Sequence, residues 1–145
     1  MTKRLDVVNA VVALIVLALP SAEVLALDND AAAPGRIGDG GRVIVRSGDP
    51  GDPELDLSPL TYNYDHQIPV EFMAYGAGSL TAEQAVDTML AAASAAIKAH
   101  RTLGGVVDWL DGFAPVTGDI FENGAKPARG ATVQLLASYS TPDPL

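Results

Sequence analysis

Asp65 stands beside His66, and Asp108 and Asp111 flank Trp109-Leu110; these are the places where the sequence offers material for acid–base chemistry. Neither constellation makes a convincing site. Adjacent residues of a strand point to opposite faces, so Asp65 and His66 do not form a dyad, and both read as surface polarity. Asp108 and Asp111 read as exposed positions beside a buried or interfacial Trp109. The other histidine, His100, sits where a helical pattern ends and a cation complements the helix dipole. With no cysteine and no HExxH or paired-histidine spacing, a metal site is not expected. The glycine-rich stretches GDGG and GDPGD lack the strand-then-helix setting and the lysine of a phosphate cradle. The expectation is therefore no catalytic residue, no cofactor and no metal. The rival is a small enzyme using Asp65, His66 or Asp108.

The elements around these residues say more. The chain has 145 residues, 48% of them hydrophobic and 19% charged, a globular composition with room for a core of its own. It reads as one domain over residues 1–145. The net charge is −9 and the nine cations are scattered, which argues against adhesion to nucleic acid or to an anionic membrane. An acidic surface does suit a channel that DNA traverses without sticking.

The run NAVVALIVLALP, Asn9 to Pro20, follows Lys3 and Arg4 in the manner of a secretory signal. Its uninterrupted apolar part, Ala10 to Leu19, is half of the ~20 residues that span a bilayer. Asp6 and Asn9 break it on the upstream side. The preferred reading is a retained core helix, capped by Thr2 and ended by Pro20. Leu5, Val8, Val12, Ile15 and Leu19 would share its buried face, with further cover supplied by another subunit.

Residues 21–41 read as short helical or irregular structure. Arg42–Arg46 reads as a strand. Ser47–Pro59, SGDPGDPELDLSP, reads as an exposed loop without strand period, since its prolines forbid regular ladders. It is expected to be a contact arm, with Asp49, Pro50, Asp52, Pro53, Glu54 and Leu55 as candidate interface residues. Leu60–Tyr75 alternates as a half-buried strand, with Pro69 marking an edge or a bulge. Thr81-Ala-Glu-Gln84 is a capping box opening an alanine-rich helix to about His100, with Val86, Met89, Leu90, Ala93 and Ile97 on one stripe. Gly104-Gly105 closes it. Val106–Leu110 reads as a short strand followed by turns at Gly112, Pro115 and Gly118. ENGAKPARGA reads as a loop. ATVQLLASYST is the last strand, with Val133, Leu135, Ala137 and Tyr139 on one face. The predicted fold is α+β, a mostly antiparallel sheet with the N-terminal and central helices packed on one face.

Taken in order, these phrases resemble the tail terminator, or tail completion, proteins of long-tailed bacteriophages. The likeness is carried by GRVIVRSGDPGDPELDLSPLTYNYDHQIPVEFMAYG, by LGGVVDW, and by the ending ATVQLLASYSTPDPL. What the resemblance implies is a structural virion protein of the tail and neck, assembled in the host cytoplasm. It would form a homo-hexameric ring that caps the tail tube protein and meets a head–tail connector or stopper protein. DNA would pass through its lumen without specific binding, and no membrane would be involved. No catalytic residue is carried over. The arm, Trp109 and the terminal Pro142 and Pro144 become the candidate assembly surface. The alternatives are another neck or connector ring component, or an exported soluble binding domain.

Overall fold

The computed structural model describes residues 1–33, 35–120 and 128–145. In chain order the elements are α1 (Lys3–Ala18), β1 (Glu23–Leu27), β2 (Arg42–Arg46), β3 (Glu54–Leu57), β4 (Leu60–Ala74), α2 (Ala82–Ala99), β5 (Trp109–Gly112), β6 (Val116–Ile120) and β7 (Ala128–Thr141). The alternation that predicts β4 and β7 makes them the two long central strands. They pair antiparallel from Tyr62 opposite Thr141 to Ala74 opposite Arg129. The sheet runs β1-β2-β4-β7-β5, with β3 also beside β4 and β6 also beside β7. Every pairing is antiparallel except β1 with β2.

Pro69 has no N–H to give, and it falls where pairing on the β2 side lapses. Val45 opposes Val70, and the next contact is Asp49 with Gln67. Three residues on one side thus face two on the other, the expected bulge.

Several expectations are corrected. Residues 23–27 form a parallel edge strand rather than helical or irregular structure; their apolar period is too short to identify alone. The stretch read as a structureless loop contains β3, because Glu54–Leu57 has Leu60–Asn63 as a partner after the turn. The strand near Trp109 begins at Trp109 and not at Val106, which belongs to the end of a 3₁₀ turn, Leu103–Gly105. Gly118 lies within β6 instead of marking a turn. Ala128, Arg129 and Gly130 belong to β7 rather than to the preceding loop, and 122–127 lie outside the described residues.

The helices cover one face. The Thr2 hydroxyl accepts from the Leu5 amide at 3.4 Å and opens α1. The buried side chains of α1 are Val7, Val8, Val11, Leu14 and Ile15. The face is therefore rotated from the expected one: Leu5 is exposed, and Val12 and Leu19 are only partly buried. A helix that is apolar almost all round has no period strong enough to choose its own buried side. Val16 and Leu17 are left exposed on the protomer. In α2 the capping box forms as expected, with Gln84 N to Thr81 Oγ1 at 3.2 Å and Thr81 N to Gln84 Oε1 at 3.0 Å. Val86, Met89, Ala93 and Ile97 face inward, with Leu90 partly buried beside them. Both helices meet Val43, Val45, Ile68, Val70, Phe72, Val133 and Leu135 in one core. A smaller cluster of Ile37, Ile44, Met73 and Ala128 occupies the other face of the sheet.

Candidate functional site

The arm is an amphipathic β-hairpin. Leu55 pairs with Tyr62 and Leu57 with Leu60; Glu54 pairs with Asn63 and Asp56 with Thr61. Directly paired residues share a face, and alternate residues along each strand do too. One face of the hairpin is therefore Leu55, Leu57, Leu60 and Tyr62, and the other is Glu54, Asp56, Thr61 and Asn63. The apolar face continues the helix-bearing side of β4, since Tyr62, Tyr64, His66 and Ile68 alternate in step. No helix reaches it: Leu57 is 80% exposed, Leu55 53% and Leu60 49%. β7 ends at Thr141 opposite Tyr62, so the turn and Leu60–Thr61 project beyond the sheet.

The root of the arm is firmly built. Asn29 donates to the Gly48 carbonyl at 3.0 Å and accepts from the Gly48 amide at 2.8 Å. Asp49 and Gln67 exchange backbone hydrogen bonds of 2.9 and 3.0 Å. Gly48 has φ +74°, and a Cβ placed there would stand 2.0 Å from the Gln67 carbonyl oxygen, so the backbone approach requires glycine.

His66 locks the same root from inside. It is fully buried, which corrects its reading as surface polarity. Its Nε2 lies 2.8 Å from the Ser47 carbonyl oxygen and its Nδ1 3.1 Å from the Tyr139 hydroxyl. A carbonyl only accepts, so Nε2 carries the proton and Nδ1 accepts from Tyr139. Burial lowers the His66 pKa below its ordinary 6.5, with Arg4 adding to the effect and the Ser47 bond and Asp49 opposing it. Burial also pushes the Tyr139 phenol up to about 12, helped by Tyr64, whose ring lies 5.7 Å away. As expected, Asp65 faces the other way; it is exposed and accepts from the Ser138 hydroxyl at 2.7 Å. Asp108 is exposed on the same face as Asp65, 3.5 Å from the Ser140 hydroxyl, whereas His66 is buried on the other face, so the three do not form one site.

The remaining candidate residues fall into two places. Asp49, Asp52, Glu54 and Leu55 are exposed on the arm, with Pro50 and Pro53 half-buried. Pro50 and Pro144 line one groove of about 430 Å³ together with Lys3, Arg4, Tyr64 and Tyr139. Exposed Pro142 lies in the same terminal segment, and the Pro144 carbonyl is 3.5 Å from the Tyr64 hydroxyl. Trp109 lies elsewhere, on the opposite edge of the sheet, paired with Ser138. It is half-exposed, with the Arg101 guanidinium 4.8 Å above its ring. Arg101 also holds Asp111 at 2.9 Å and lowers the pKa of that exposed carboxyl.

One feature of this surface has no local signal in the sequence. An apolar groove of about 360 Å³ lies between α2 and the β5–β6 connection, lined by Leu90, Ile97, Phe113, Val133 and Leu135 among others. Its walls come from segments far apart in the chain. Among the described residues, no group of three or more His, Asp or Glu is placed to hold a metal. Among them, too, no helix is long and apolar enough to cross a membrane.

The sequence matches no known protein family and no curated protein. Among solved structures, the chain is similar to one from the virion of a native gene transfer agent (GTA) particle. The two share 16% identity over 89% of this chain and 86% of that one, with a TM-score of 0.45.

Proposed function

We propose that this chain is a non-enzymatic structural protein of a long-tailed phage particle, and within it a tail terminator. Copies assemble into a ring, hexameric by the resemblance, that caps the tail tube and meets the head-side connector while DNA passes through its lumen. The observation that carries the reading is the projecting hairpin. It presents three exposed leucines on one face and carboxylates on the other, on a root held by His66, Asn29 and Gly48. A solvated connector has no need of a rigid root or of an apolar face, whereas an assembly arm needs both. Val16 and Leu17 of α1 add a second exposed apolar patch for burial between subunits. The charge of −9 on each copy keeps DNA from adhering to a lumen lined by such chains.

The test is tail-tube growth with purified components. Adding this chain should stop tube elongation, and the particle's neck should show it as a six-fold layer by cryo-EM. Tubes that neither bind it nor stop growing in its presence would refute the assignment. A chain that binds the neck without stopping growth belongs to the connector instead.

A further inference from the structure

We infer that His66 is a proton-operated latch: its neutral imidazole fastens the chain where it leaves β2 for the arm, and an added proton unfastens it. The latch is a property of a single copy and does not depend on the tail reading above.

Its position makes it a fastening point. β2 ends at Arg46, and on that side of β4 the ladder lapses between the Val45–Val70 pair and the Asp49–Gln67 bridge. Ser47 and Gly48 cross this gap unpaired with β4. Four attachments hold the crossing: the Ser47 amide on the Leu27 carbonyl, Asn29 on Gly48, the exchange between Asp49 and Gln67, and the His66 Nε2–H on the Ser47 carbonyl. Of these four, only the last is made by a group that titrates near neutrality.

The closed site has no place for a second proton. The Ser47 carbonyl takes the Nε2 proton, so Nδ1 is committed to accepting from the Tyr139 hydroxyl. A proton on Nδ1 would face that oxygen, and the hydroxyl would have to turn its own hydrogen away. The surroundings do not neutralise the charge either. His66 is fully buried, and among the described residues no carboxylate lies within ion-pair distance of it. Arg4 of α1 works against the proton, and Asp49 at the root favours it. Tyr139 of β7 touches the ring, with Tyr64 of β4 beside it. Lys3, Asp143 and the terminal residue Leu145 stand at the groove these tyrosines line. Burial outweighs every charge in this set.

Opening the root returns the ring to water, where it binds a proton at its ordinary 6.5. The open form then holds more protons than the closed one, so acid favours opening. The gain reaches at most about tenfold one unit below 6.5, and it stops where the closed ring also protonates.

Amide hydrogen exchange on the full chain, corrected for the chemical rate at each pH, tests the latch. Between pH 7.5 and 5.5, protection at Gly48, Asp49 and Gln67 should fall by up to about tenfold. Val70 and Val133, paired with each other in the sheet centre, should keep theirs. In His66→Gln, which cannot titrate, the fall at the root should vanish. Root protection that ignores pH overturns the latch, and so does an equal loss at Val70 and Val133, which would be global unfolding. A fall that persists in His66→Gln assigns the sensor to another group and overturns it too. Should that variant not fold, the ring-nitrogen shifts of the wild type decide, with exposed His100 as internal reference. They should show a neutral His66 ring protonated on Nε2 at pH 6.5, and a charged ring there would overturn the latch.

Discussion

Replacing His66 with phenylalanine separates the two roles of that side chain, hydrogen bonding and proton binding. Phenylalanine keeps most of the volume but leaves the Ser47 carbonyl and the Tyr139 hydroxyl without their partner. A buried polar group stripped of its hydrogen bond costs about 1–3 kcal/mol, and Ser47 is only partly buried, so a total loss of about 2–4 kcal/mol is expected at pH 7.5. The dependence on pH then carries the sharper test. In the folded protein burial keeps the imidazole neutral below its ordinary 6.5, while the unfolded chain takes up a proton there. The unfolded state thus binds more protons, and wild-type stability falls as pH drops through 6.5, until the folded imidazole also protonates. One unit below 6.5 the loss reaches at most about 1.4 kcal/mol. His66→Phe has no such group, so the stability gap between the two proteins should narrow by up to that amount between pH 7.5 and 5.5. Urea unfolding followed by the single tryptophan, Trp109, reads both effects. The pH 7.5 midpoint should shift by about 1–2 M at ordinary slopes. A gap that widens on acidification would mean that the folded state favours the charged imidazole, and the assigned hydrogen bonding would be wrong. A variant as stable as wild type at pH 7.5 would refute the lock at the arm's root.

Two further substitutions address the packing. Ile15→Ala, at a fully buried position of α1, should cost about 2–5 kcal/mol, whereas Leu17→Ala, 69% exposed two residues on, should stay within about 0.5 kcal/mol of wild type in dilute protein; equal losses in urea titrations would reject the observed helix face. Gly48→Ala should lower stability by about 1–3 kcal/mol and raise hydrogen exchange at Asp49 and Gln67, because its Cβ meets the Gln67 carbonyl and its φ is +74°; unchanged exchange there would show that the root relaxes without loss.

Much of this architecture follows from local pattern. The β4 and β7 alternations, the Thr81 capping box and the stripe Val86, Met89, Ala93, Ile97 are each decided within a few residues, and each forms where the sequence places it, except that β7 begins three residues earlier, at Ala128. The bulge at Pro69 follows from a missing N–H. The positions of Asp49, Asp52, Glu54 and Leu55 on an exposed arm were equally legible, because glycine, proline and carboxylates do not bury well. Three things were left to tertiary structure. The buried side of α1 was set by docking, since a helix with apolar residues on nearly every side presents no preferred face. The hairpin required Glu54–Leu57 to find Leu60–Asn63, a pairing that exists only between strands and leaves little trace in either one. His66 was drawn inside because Ser47 and Tyr139, 19 and 73 residues away, together satisfy both ring nitrogens. Periodicity reports the neighbours along a chain, and burial of a polar group depends on partners brought in from across it.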